Sequence, residues 1–103
     1  MLDQIDRGLV NLNADKARAV ERRLRDLGED DPAVVGHLGA DLSDLYAGAL
    51  RYQRLVDAIL DTPPADREQL GELLADLAVE MGHLRYHLRE SVELVEGLAG
   101  EFD

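Results

Sequence analysis

Cysteine is absent from the 103-residue chain. That excludes disulfides, thiolate zinc sites and thiol nucleophiles. Tryptophan is also absent, and three Tyr and one Phe are the only large aromatic side chains. A core built from this composition is aliphatic. No apolar run approaches the ~18 residues that a membrane-spanning helix needs, and no segment reads as a secretory signal, so the expected location is cytoplasmic. Positive charge is scarce. Eleven Lys and Arg face 22 Asp and Glu, a net charge of −11. Such a balance repels phosphate backbones and anionic lipid surfaces, so direct nucleic-acid or membrane binding is not expected. The acids are spread through periodic segments and not gathered in a tail, which argues against disorder.

What is present is helical periodicity. Residues 64–102 carry a heptad pattern with Leu74, Met81, Leu88, Val95 and Phe102 at a and Leu70, Leu77, Leu84, Ser91 and Leu98 at d. Alternating steps of three and four hold these side chains on one seam, interrupted by Ser91 alone. At ~1.5 Å per residue such a helix is about 60 Å long and needs a long partner. Residues 32–60 supply it, with Val35, Leu42, Ala49 and Val56 at a and Leu38, Leu45, Tyr52 and Ile59 at d. Asp61-Thr62-Pro63-Pro64 separates the two. Proline suits only the first turn of a helix, and the residue before it avoids helical geometry, so the chain turns at about residues 62–64. One antiparallel register then sets Leu38 against Leu88, Leu42 against Leu84, Leu45 against Met81 and Ala49 against Leu77, each an a position facing a d position.

Upstream, Leu2, Ile5, Leu9 and Leu12 share one helical face. The next set, Ala17, Val20, Leu24 and Leu27, is out of phase with it, and Asn13 suits an N-cap. The reading is a kink or break at residues 11–13; a continuous helix with a stutter is the alternative. Gly28 suits the C′ position, while Asp31 and Pro32 suit the cap and first turn of the following helix. The expected fold is all-α: a long antiparallel helical hairpin plus an N-terminal helix, making a self-associating three-helix bundle. Its single domain covers residues 1–103, with helices at about 2–12, 14–28, 32–61 and 64–101.

Small residues at Gly36, Ala40, Ser43 and Ala47 lie opposite the seam of the second helix. They permit close approach of the N-terminal helix or of a second copy. The third helix has apolar residues off its seam, notably Val79 and Tyr86, with Gly82 beside them. Together with Tyr46 and Leu50 these are the candidate partner-binding residues, tyrosine being favoured where a ring is buried and its tip stays polar.

One polar constellation has metal-ligand spacing. His83 and His87 are four apart, flanked by Glu80 and Glu90, and His37 lies four before Asp41. The hairpin register brings Asp41 near His87 and His37 about one turn away. His37, Asp41, His83 and His87 are therefore the candidate ligands for a divalent metal; the bland reading of the same residues is a solvated polar face with an Asp41–His87 ion pair. Glu80-x-x-His83 resembles the Glu-x-x-His element of di-iron helical bundles. It departs from that pattern by lying at g and c, off the a/d seam. No nucleophile with a supporting base, no phosphate loop and no strand is legible, so no enzyme activity and no further cofactor are expected. The leading expectation is a small acidic protein–protein interaction module acting on itself as a homodimer or on another protein. The alternatives are an acidic inhibitor that mimics nucleic acid, and a His/carboxylate metal-binding bundle.

Overall fold

Two short punctuation segments, residues 27–31 and 62–66, cut the chain into its elements. The computed structural model describes residues 2–102, with side chains from Asn13 onward. It contains α1 (Leu2–Asp26), α2 (Pro32–Asp61) and α3 (Arg67–Glu101).

Gly28, at φ 101°, ends α1. Glu29 N–H donates to the Leu24 carbonyl and Gly28 N–H to that of Arg25, both at 3.0 Å, which is the Schellman pattern that a left-handed C′ residue permits. Asp31 then caps α2 by accepting from Ala33 N–H at 3.0 Å, with Pro32 in the first turn, as expected. Thr62 closes α2, its hydroxyl donating to the Ala58 carbonyl at 2.7 Å. α3 begins at Arg67 and not at Pro64. The carboxylate of Asp66 accepts from Gln69 N–H at 3.2 Å and makes the cap, so both prolines remain in the turn.

The expected break at residues 11–13 is absent, and α1 runs through it. Asn13 does not cap a helix; its side-chain amide donates to Asp44 Oδ1 on α2. The side chains of Leu2, Ile5, Leu9 and Leu12 lie outside the described residues.

The helices pack as an all-α bundle with α2 in the middle. α1 and α3 both pack along α2, and their own backbones stay apart among the described residues. The small-residue face of α2 receives α1. Gly39, Ser43 and Ala47 are buried there, while Gly36 and Ala40 stay exposed. A Cβ at Gly39 would sit 2.7 Å from Glu21 Cγ and 3.2 Å from the Ala17 carbonyl oxygen. At one end Leu24, Val35 and Leu38 form the buried apolar cluster, closed by Leu94 and Leu98 of α3.

The antiparallel hairpin is as expected, but its contact face is not. In α3 the covered positions are Leu70, Leu73, Leu77, Glu80, Leu84, His87, Ser91, Leu94 and Leu98, which is the d/g seam, with Gly82 and His83 half-buried beside it. The a positions are exposed: Leu74 54%, Met81 53%, Leu88 50%. Tyr52 of α2 is exposed as well. The two a/d seams therefore do not interdigitate face to face. α3 is rolled so that its g residues meet α2, because Glu80 and His87 find ionic partners there that solvent-facing a residues do not need.

Candidate functional site

The rolled helix brings charged residues inside. Steps of three and four put Asp41, Asp44, Gly48 and Arg51 on the α3-facing side of α2, and Glu80, His83 and His87 on the answering side of α3. Gly48 permits the approach. A Cβ there would lie 2.7 Å from Leu84 Cδ2 and 2.8 Å from Glu80 Oε1.

His87 is the hub. Its Nδ1 lies 2.9 Å from Asp41 Oδ1. Its Nε2 lies 2.9 Å from His83 Nε2 and 3.2 Å from Asp44 Oδ2. The two imidazoles meet edge to face, at 4.5 Å between centroids and 87°. His83 Nδ1 lies 3.6 Å from Glu80 Oε1, and Arg51 Nη1 lies 3.6 Å from the same oxygen. Ser91 Oγ, one turn on, donates to the His87 carbonyl at 2.8 Å.

Burial raises the stakes of this cluster, since a polar group removed from water is costly unless paired. Asp41, Glu80, His87 and Ser91 are all buried. Asp41 Oδ2 and Glu80 Oε1 have no hydrogen-bond partner among the described residues. Three carboxylates, those of Asp41, Asp44 and Glu80, converge on two imidazoles and one guanidinium.

Of the four metal candidates, Asp41, His83 and His87 come together as the register requires. His37 stays at the rim, with Nε2 3.2 Å from Glu90 Oε2 and 3.8 Å from Asp41 Oδ2. Glu80 is not off the contact seam, because the g row is the one that faces α2. Asp44 escaped the sequence reading. Its signal was available, three residues after Asp41 on the same side of the helix. Only the packing of α1 reveals Asn13 behind it.

The candidate partner residues divide between two helices. Tyr46 carries Lys16 of α1 over its ring, 4.6 Å from the centroid, and Leu50 is half-buried. Val79 and Tyr86 are exposed, and Gly82 lies between them with open space around it. A more continuous apolar surface runs beside them. Ala49 and Tyr52 of α2 with Met81, Leu84, Leu88 and Val92 of α3 line a groove of about 690 Å³, rimmed by Arg85, Arg89 and Glu93.

No helix among the described residues is long and apolar enough to cross a membrane. Comparison of the chain with protein-family models, curated proteins and solved structures finds no match.

Proposed function

We propose that this protein is a self-associating helical interaction module, in which two copies join their α2–α3 hairpins through the open a-position face. The observation that carries this reading is the row of large apolar side chains left exposed along α3, on a chain whose total surface is large for its mass. The chain exposes 7364 Å² for a mass of 11.4 kDa. A compact monomer of that mass exposes about 5,800 Å². The excess, roughly 1,600 Å², exceeds the ~800 Å² per partner of an ordinary stable interface.

The distribution of that surface supports a second copy as the occupant. Leu74, Ala78, Met81, Leu88, Val92, Val95 and Ala99 recur at steps of three, four or seven along α3, all exposed. They make a second heptad stripe broken only by Arg85. Seams of two hairpins that face outward are the halves from which a four-helix core is assembled. An isologous dimer also suits the charge. Arg85 and Arg89 flank the groove in a chain of net charge −11, so a second copy brings acids to meet them.

Light scattering across a concentration series tests this. The expected mass is twice 11.4 kDa. The double substitution Met81→Glu and Leu88→Glu is expected to give a monomer of unchanged helical content. A wild-type chain that stays monomeric at high concentration refutes the reading.

A further inference from the structure

The groove leaves the buried His87 and its partner His83 unexplained. Polar groups at a helix–helix contact cost stability unless they are paired, and here the pairing is incomplete. We infer that Asp44, His83 and His87 form a binding site for a divalent transition-metal ion of the Zn²⁺ class. This rests on the polar cluster alone and does not depend on the oligomeric state.

The first argument is convergence. One atom from each residue can be chosen so that all three lie within 4.8 Å of one another. In a tetrahedral site with bonds of ~2.0–2.1 Å, neighbouring ligand atoms are about 3.3 Å apart. The separations of 2.9 Å between the two Nε2 atoms and 3.2 Å from His87 Nε2 to Asp44 Oδ2 are already close to that edge.

The second is the proton inventory. A neutral His87 that donates Nδ1–H to Asp41 turns a lone pair on Nε2 toward His83 Nε2 and Asp44 Oδ2. Three electron-rich atoms then face one point. A single proton can bridge two of them, whereas a divalent cation satisfies all three.

The third is the outer layer. Metal-binding imidazoles characteristically hand their other nitrogen to a carboxylate. His87 Nδ1 meets Asp41, and His83 Nδ1 faces Glu80. Asp44 is held in turn by the amide of Asn13. The Glu80 side chain is nine-tenths buried, and its Oε1 lacks a hydrogen-bond partner among the described residues, lying 3.6 Å from both Arg51 Nη1 and His83 Nδ1. Positive charge arriving at His83 would strengthen that contact and offset the three carboxylates.

The donor set fixes the class. Two imidazole nitrogens and one carboxylate suit Zn²⁺, Co²⁺ or Fe²⁺; there is no thiolate for soft ions and too few oxygens for Ca²⁺. Three protein ligands also leave a coordination position for water.

Equilibrium dialysis of chelator-treated, full-length protein against ZnCl₂ tests the site, with the visible spectrum of the Co²⁺ form as an independent readout. One ion per chain and a tetrahedral Co²⁺ band are expected. His83→Ala and Asp44→Asn alter partly exposed side chains, and circular dichroism checks that their helices persist. Each is expected to weaken Zn²⁺ binding more than roughly 100-fold, and Glu80→Gln by about 10–100-fold, the usual effect of an outer partner. His37→Ala is expected to bind as the wild type does. Failure of the full chain to take up Zn²⁺ saturably overturns the proposal. So does an affinity that survives both His83→Ala and Asp44→Asn, which would mark an adventitious surface ion.

Discussion

Alanine at Gly36 should stabilise the protein and alanine at Gly39 should not, although the two positions are three residues apart on the same helix. Alanine in place of glycine inside a helix gains about 0.8–1 kcal/mol. Gly36 has nothing within 4 Å of its missing Cβ, so Gly36→Ala should realise that gain. At Gly39 the new methyl would meet Glu21 Cγ at 2.7 Å and the Ala17 carbonyl at 3.2 Å. Glu21 can swing aside only by changing rotamer, and the carbonyl moves only with α1. Overpacking of this kind costs ~1–3 kcal/mol, enough to cancel or exceed the propensity gain. The two variants should therefore differ by about 1–3 kcal/mol. At ~4–8 °C per kcal/mol for a domain near this size, thermal melts followed by circular dichroism resolve the difference. Both variants must be melted at one protein concentration, because association shifts the midpoint. Equal stabilisation by the two alanines would refute the close seating of α1 on α2.

Other substitutions probe the core, the caps and the polar cluster. Leu38 is fully buried, so Leu38→Ala should cost about 2–5 kcal/mol in urea denaturation. Leu60, exposed to 76%, should tolerate alanine within ~0.5 kcal/mol. Asp31→Ala removes the acceptor for Ala33 N–H and should cost ~1 kcal/mol by the same assay, with Asp31→Asn recovering most of it. Asp41→Ala strands the buried His87 Nδ1 and should lower metal-free stability by about 1–3 kcal/mol.

The hairpin was legible because its signals were redundant. Two heptads, two prolines and the capping residues Asp31 and Gly28 all pointed one way. The roll of α3 was not legible, and the reason is chemical. Of its g residues, Leu73 and Leu94 are apolar, but Glu80 and His87 are not, so a pattern built on hydrophobicity rejects that row and selects Leu74, Met81, Leu88 and Val95. Which of two adjacent stripes faces α2 is decided by partners on α2, namely Asp41, Asp44 and Arg51, and by the missing side chain at Gly48. The Asp41–His87 contact was readable from register alone, since that roll leaves the antiparallel alignment in place. Asn13 misled for a related reason. A short amide reads as a helix cap wherever the sequence is viewed locally, yet here a carboxylate 31 residues away claims it.

The seating of α1 has a kinetic corollary. α1 rests along α2 and, among the described residues, meets α3 through the apolar cluster around Leu24, near its C-terminal end. Its release leaves the α2–α3 hairpin standing, so its amides should exchange with solvent through a partial opening that is cheaper than global unfolding. Each such excursion also withdraws the Asn13 amide from Asp44. The frequency with which α1 lifts is then the rate at which Asp44 is freed to reorient, which ties the dynamics of the first helix to the chemistry between the other two.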